Sequence, residues 1–274
     1  MKSYSPLRYP GGKTQLYPFI TRLIQNNFLN KPIYIEPFCG GGGLALKLLM
    51  NQQVEQIYLN DIDVNIYAFW ITLTQYQNDF IKFIKNVPLT IEEWRKQKEI
   101  YESKTSNINL FQKGCATFFL NRTNYSGLLS AGPIGGFQQK GNYKIDCRFH
   151  KKNLINIIQQ ISLYQDKIKI FNLDVKDFLF NLKLPLEKSF VYLDPPYIKK
   201  GKELYQNAFQ VKDHQILATM IKKIKYKWLI TYDNHVLIEK LYQNYFKQLF
   251  DIQYSLKNKI KTQEIFIKSD NLLI

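Results

Sequence analysis

Asp194-Pro195-Pro196-Tyr197 follow directly on the apolar run Phe190-Val191-Tyr192-Leu193. Two successive prolines remove two backbone N–H donors and fix φ, so the carbonyls around them project as free acceptors from a rigid loop. Asp194 adds an anionic acceptor. A carboxylate beside a carbonyl can take both hydrogens of an exocyclic amine such as that of adenine, drawing the nitrogen lone pair away from the ring and toward an electrophile. The nitrogen becomes positive only as the electrophile arrives, so the site needs charge-stabilising acceptors rather than a strong base. Tyr197 can stack on the held base. Taken alone, the tetrapeptide could also be an ordinary strand-ending turn.

A second constellation binds rather than reacts. Gly40-Gly41-Gly42-Gly43-Leu44-Ala45 fits G-x-G-x-x-A between a strand and a helix, and Asp61 ends the next strand 21 positions after Gly40. Glycines let the backbone approach a ligand, and a carboxylate at the second strand tip accepts the two hydrogen bonds of a ribose diol. Gly40, Gly42 and Asp61 are thus candidate nucleoside ligands. Glu36 stands just ahead of the loop, where a carboxylate repels pyrophosphate. An adenosine carrying positive charge fits better, and S-adenosylmethionine, with a sulfonium and an ammonium, is such a ligand. The competing reading is a tight strand-to-helix turn. Gly12-Lys13-Thr14 mimics the end of a P-loop, but Leu7 stands where that motif requires glycine and no strand precedes it, which excludes an ATPase.

The elements that must position these residues follow from periodicity. Ile33-Tyr34-Ile35 and Gln56–Leu59 read as strands, with a helix over Leu44–Met50 between them. Apolar spacing from Leu16 to Ile24 predicts a helix after the Pro/Gly-rich opening. From Val64 to about Gln165 the strand rhythm is replaced by helical patterns, one of which starts with a capping box at Thr90-Ile91-Glu92-Glu93. Residues 123–147 suit an irregular or hairpin segment. Strand signals return at 169–171, 190–193, 228–231 and 264–267, alternating with helical patterns at 177–182, 213–224 and 236–245. The reading is an α/β protein with one mixed sheet built from residues 1–62 and 166–274, and a mainly helical insertion over 63–165.

Leu7-Arg8-Tyr9-Pro10-Gly11-Gly12-Lys13, Glu36-Pro37-Phe38-Cys39-Gly40-Gly41-Gly42, Asn60-Asp61, Asn121-Arg122-Thr123-Asn124-Tyr125-Ser126-Gly127-Leu128 and Asp194-Pro195-Pro196-Tyr197 together resemble the DNA adenine methylase family of adenine-specific DNA methyltransferases. The blocks occur in that family's order and span nearly the whole chain. The resemblance implies a Rossmann-like, S-adenosylmethionine-dependent methyltransferase domain with an inserted target-recognition domain at 63–165. It further implies that Tyr9, Lys13, Phe38, Asp61 and Asp194 contact the cofactor, with Asp174 near its adenine. Asp194, Pro195 and Tyr197, with Pro196, would hold a flipped adenine, and Asn121, Arg122 and Tyr125 would belong to the DNA-contacting surface. Familiar members follow the Asn-Gly-Leu stretch with an arginine and a Gly-x-Phe-Asn hairpin. This chain has Leu129-Ser130-Ala131-Gly132-Pro133-Ile134-Gly135-Gly136 instead, so recognition of GATC is not carried over. A modification enzyme with a cognate restriction endonuclease, or an unpartnered methylase, would both fit, as a monomer on double-stranded DNA.

Charge agrees with such a partner. Lys+Arg number 38 against Asp+Glu 22, leaving +16, a surplus that would repel itself unless a polyanion or an anionic membrane is the usual partner, nucleic acid being the leading reading. Lys199 and Lys200, just after the tetrapeptide, are expected to close over the phosphates of the flipped nucleotide, unless they are a solvated loop. The 274 residues, with 45% hydrophobic and 22% charged, describe a folded globular chain. No apolar run approaches the length of a membrane span, so a cytoplasmic protein is expected. Three scattered cysteines provide neither a disulfide framework nor a metal site. The alternatives are a methyltransferase for RNA or protein amines, whose turn commonly begins with Asn, and a catalytically silent DNA-binding module, against which an intact Asp-Pro-Pro-Tyr argues.

Overall fold

A computed structural model of the chain describes residues 4–8, 12–103, 108–198, 209–255 and 259–274. Five short, apolar strands lie parallel: Ile33–Glu36 (β1), Gln56–Asn60 (β2), Ile168–Phe171 (β3), Ser189–Leu193 (β4) and Lys227–Asp233 (β5). A hairpin of Lys247–Ser255 (β6) and Lys259–Lys268 (β7) joins antiparallel, with β7 against β5. The order is β3-β2-β1-β4-β5-β7-β6. β4 is buried along its whole length, as a central parallel strand covered on both faces must be.

Period-two alternation sends side chains to two cores. Tyr34, Phe190 and Tyr192 face one layer, built from Tyr17–Asn27 (α1), Gly43–Met50 (α2) and the long helical insertion; Ile35, Val191 and Leu193 face the other. The insertion comprises Val64–Gln75 (α3), Gln77–Asn86 (α4), Ile91–Glu102 (α5), Leu110–Thr123 (α6) and Lys151–Ser162 (α7). Its Phe69, Phe118, Phe149 and Ile158 belong to the same hydrophobic cluster as Tyr34 and Phe190. The second layer holds Val175–Asn181 (α8), Val211–Ile221 (α9) and Val236–Leu241 (α10). α7 shows why these segments are helical: Leu154, Ile157, Ile158 and Ile161 are buried at i, i+3, i+4 and i+7.

Two local expectations change. Thr90 accepts from the N–H of Glu93 at 3.2 Å, but the Glu93 carboxylate takes the Gln97 amide at 2.6 Å, so only half the capping box forms. The reciprocal box is at Asn109 and Gln112. The helix expected over 236–245 ends at Leu241 because β6 starts at Lys247. β6 was not foreseen: Lys247-Gln248-Leu249-Phe250-Asp251 has little apolar alternation, as befits an edge strand paired on one side only.

The chain runs β1 to β2 to β3 on one side of the sheet and β4 to β5 on the other, so the order reverses between β1 and β4. Open α/β sheets bind ligands at the carboxyl ends of such strands. Glu36 and Asp194 stand there. Asn60, only 1% exposed, fixes the loops of this edge: its amide donates to Pro37 O (3.1 Å) and Leu173 O (3.0 Å), while its Oδ1 accepts from Leu173 N (3.0 Å). Asn60→Ala leaves these groups unpaired inside the protein and is expected to lower unfolding free energy by about 2 kcal/mol in a urea titration. A variant as stable as the parent would remove Asn60 from this role.

Candidate active site

Asp194 begins where β4 ends, and each carboxylate oxygen has a partner from another part of the chain. Oδ2 meets Lys13 Nζ at 3.0 Å, and Oδ1 accepts from Thr231 Oγ1 on β5 at 3.0 Å. Thr231 Oγ1 is also 2.9 Å from the hydroxyl of Tyr192, two residues before Asp194. The Lys13 side chain is 4% exposed and that of Asp194 17%, so this is a largely desolvated ion pair. The Lys13 ammonium also lies over the Tyr197 ring, 4.9 Å from its centroid, a cation–π distance. Beyond Tyr197, the N–H of Ile198 donates to Asp233 Oδ1 at 3.1 Å. The tetrapeptide is therefore tied at both ends to β5.

The glycine loop sits beside it. Gly40 and Gly42 have φ of 45° and 56°, a left-handed backbone that glycine adopts without strain. The sequence reading had the glycines clearing space for a ligand, but at Gly42 the space is filled from within: a Cβ would come 2.5 Å from the Trp70 ring. The Trp70 indole N–H donates to Gly40 O at 3.0 Å, so α3 holds the loop in shape. Asp61 Oδ2 accepts from Gly40 N at 2.9 Å and Oδ1 from Asp63 N at 3.0 Å. Each oxygen can accept one more bond. Burial pushes the Asp61 carboxyl up to about 7, against the pull of those two N–H bonds.

Glu36, at the tip of β1, is 5% exposed, and its Oε2 has no hydrogen-bond partner among the described residues. Burial, with the nearby charges of Asp194 and Asp61, raises its carboxyl well above the usual range; Lys13 opposes this. Three carboxylates thus converge on one crevice with one ammonium to offset them. An orphaned buried carboxylate in such a setting suits a cationic ligand and repels phosphate.

Phe38 packs edge-on against Phe209, with centroids 5.8 Å apart. Asp174 is exposed at the end of β3, where Oδ1 caps α8 by accepting from Lys176 N at 2.8 Å. Tyr9, Lys199 and Lys200 lie outside the described residues. Asn121 departs from the surface role expected of it: it is 2% exposed, accepts from Arg8 N (2.7 Å) and donates to Arg8 O (2.9 Å) and Gly127 O (2.9 Å). With both donors and its carbonyl engaged, it clasps the N-terminal segment to α6. Gly127 is indispensable to that clasp, since φ is +76° and a Cβ would meet Arg8 O at 2.4 Å. Arg122 is half-buried, donating through Nε and Nη2 to Arg148 O. Burial, then repulsion from Arg8 and Arg148, pulls it down to about 10. Among the described residues, none of these three arginines forms an ion pair. Tyr125 is exposed.

Thr231, Tyr192, Asp233 and Trp70 had no signal as site residues in the sequence. Thr231 reaches Asp194 because β4 and β5 pair with Leu193 opposite Ile230, and that register is not readable from either strand alone. Arg8 was visible only as part of a motif, and Glu36 only as part of one and as a group that repels phosphate.

A sheet of this order, with buried carboxylates at its carboxyl edge beside an Asp-Pro-Pro-Tyr turn, is that of a Rossmann-like methyltransferase. The family described as D12 class N6 adenine-specific DNA methyltransferase matches residues 9–262, and the chain belongs to it. It is similar to the type II methyltransferase M.MjaIII of Methanocaldococcus jannaschii, 29% identical over 206 residues that cover 70% of this chain and 68% of that protein. Type II methyltransferase M.CviBI of Paramecium bursaria Chlorella virus NC1A is 25% identical, covering 96% of this chain and 98% of its own. M1.LlaDCHI of Lactococcus lactis subsp. cremoris is 23% identical over 87% of this chain. The protein is a site-specific adenine DNA methyltransferase, and methyltransferases of this family in general use S-adenosylmethionine. No helix among the described residues is long and apolar enough to cross a membrane.

Thr231→Val keeps the volume of this buried side chain while removing the hydroxyl between Tyr192 and Asp194. Methyl-transfer rate in single turnover is expected to fall about tenfold, roughly the 1.4 kcal/mol of one hydrogen bond, with DNA affinity retained. An unchanged rate would show that Asp194 does not need this partner.

Proposed function

We propose that Asp194 and the carbonyls beside Pro195 and Pro196 accept the two hydrogens of a target adenine's N6 amine, with the base extracted from the duplex and stacked on Tyr197. The observation that carries this reading is the grip on Asp194 between Lys13 and Thr231, which presents a fixed acceptor at the tip of β4 without needing a base of raised pKa. Lys13 holds the carboxylate and lies over the Tyr197 ring, on which a base would stack. S-adenosylmethionine, when bound, supplies an electrophilic methyl group on a sulfonium. Asp61 would hold its ribose diol, Glu36 with Asp194 would face its positive charges, and Gly40 and Gly42, with Phe38 and Tyr9, would shape the crevice. Ile62 and Leu173, 54% and 39% exposed beside Asp61 and Asp174, offer apolar faces for its adenine that motif reading did not supply.

The helical insertion at 63–165 serves target recognition in this reading, with Arg8, Arg122 and Tyr125 toward DNA and Asn121 holding Arg8 in place. Lys199 and Lys200 keep their assignment to the nucleotide's phosphates. The relatives' names as type II methyltransferases favour the modification half of a restriction pair, acting as a monomer.

Incubation with methyl-labelled S-adenosylmethionine and duplex DNA, RNA or protein is expected to label DNA alone, as N6-methyladenine. Asp194→Ala should reduce single-turnover methylation about 10²-fold or more while DNA binding persists; normal methylation by that variant would place the amine elsewhere. A pH dependence follows from Asp61. In the free protein its proton is held up to about 7, whereas a ribose diol is held best by the ionised form. Cofactor affinity should therefore rise between about pH 6 and 8, with proton release on binding below pH 7. Calorimetry in buffers of different ionisation enthalpy measures this release, and Asp61→Ala should lack the part centred near pH 7.

A further inference from the structure

Away from the catalytic crevice, the insertion carries a groove of ≈ 860 Å³ between the end of α4 and the outer face of α7. Lys85, His150, Lys152, Asn153, Asn156 and Gln159 line it, and no carboxylate does. Lys151 has a different task. Its ammonium donates to Lys85 O and Val87 O, both at 2.8 Å, closing the carbonyl end of α4 and locking the two helices together. The remaining cations and amides are exposed.

Position gives the groove its meaning. α3 starts just past the tip of β2, with Asp63 as its cap; α4 follows it, and α7 leads into β3. The bonds from Lys151 bring the end of α4 and the beginning of α7 together. The patch is also continuous with the arginine cluster: Arg148, whose carbonyl holds Arg122, is two residues from His150.

We propose that this groove carries the sugar–phosphate backbone of duplex DNA outside the recognised base pairs. This inference rests on the DNA-binding orientation proposed above, in which Arg8 and Arg122 face the target. On α7, Lys152, Asn156 and Gln159 recur at i, i+4 and i+7 along one exposed face, opposite the buried Leu154, Ile157, Ile158 and Ile161. They span about 10 Å of helix, the rise of about three phosphates along one strand. Lysine with Asn and Gln amides is the donor set that contacts phosphates without reading sequence. The groove thus adds affinity and orientation, while choice of site stays with the residues near Arg122.

The test is the double variant Lys85→Gln/Lys152→Gln, with Lys152→Glu as a second variant, on two duplexes carrying the target: one of about 10 base pairs and one of about 30. Both positions are exposed surface, and circular dichroism together with cofactor binding verifies folding. The longer duplex is expected to bind the double variant about tenfold more weakly near 0.1 M salt, and its slope of log affinity against log salt should shrink by between about 1 and 2. The short duplex should bind variant and parent alike. An unchanged affinity and slope on the long duplex would overturn the inference, and so would equal weakening on both, which would put the groove inside the recognised site. If Arg122→Gln leaves DNA binding intact while the double variant weakens it, the orientation around Arg122 fails and the groove does not. An acidic protein displacing DNA from neither variant nor parent supports DNA as the occupant; selective capture by parent alone of acidic polypeptide, with unchanged DNA binding, opposes it.

Discussion

The ion pair between Lys13 and Asp194 is the constraint on which the site depends. Lys13 comes from the Gly-rich opening of the chain and Asp194 from the tip of a strand formed late in it, so their 3.0 Å contact requires the opening segment to lie across the finished sheet. Asn121 makes that possible by clasping the backbone of Arg8 at both its N–H and its carbonyl. A buried ion pair contributes little net stability, since desolvation opposes the Coulombic gain. Its value here is geometric: with Thr231 on the other oxygen, the carboxylate has one orientation, and positioning rather than proton abstraction is what an amine acceptor must supply.

The parallel register sets the second condition. β1 pairs with β2 on one side and β4 on the other, which brings Glu36, Asp61 and Asp194 to one edge. Burial raises both Glu36 and Asp61, with repulsion from Asp194 and Asp61 adding to it at Glu36 and repulsion from Asp63 at Asp61, an unfavourable arrangement for an empty site and a favourable one for a site that receives positive charge. The Trp70 indole and the Asn60 amide hold the loops beside these acids, so part of the helical insertion supports this edge of the sheet.

Much of this was legible in the chain. The alternation of apolar runs with helical periods gave all five parallel strands, because buried parallel strands are nearly continuous in Val, Ile, Leu and aromatic residues and are ended by the very Pro, Gly and Asp that make the site. What could not be read was whatever depends on register or on side chains meeting across distant segments. Thr231 looks like any β-branched strand residue until β5 is laid beside β4. Asn121, inside a motif that resembles a DNA-contacting block, looks like a surface donor until Arg8 is found against it. β6 was invisible because an edge strand with one partner does not need an apolar pattern. Trp70 read only as core, and it is core, but its one polar atom faces the Gly40 carbonyl.

The distribution of charge resolves a conflict in the composition. A protein with 38 basic and 22 acidic residues would be expected to show a positive field everywhere, yet its crevice collects carboxylates. Two ligands of opposite sign explain why both must persist. In the proposed reading the nucleoside cofactor would bring positive charge to the buried carboxylates, where interactions are scarcely screened. The polyanion would lie over a broad solvated surface, where charges more than about 10 Å apart are largely independent at 0.1 M salt. Arg8, Arg122 and Arg148, with no carboxylate ion-paired to them among the described residues, can therefore face phosphate while Glu36 and Asp61 face a cation. Lys13 stands at the boundary, and its pairing with Asp194 offsets part of the negative charge that this carboxylate brings to the same edge of the sheet as Glu36 and Asp61.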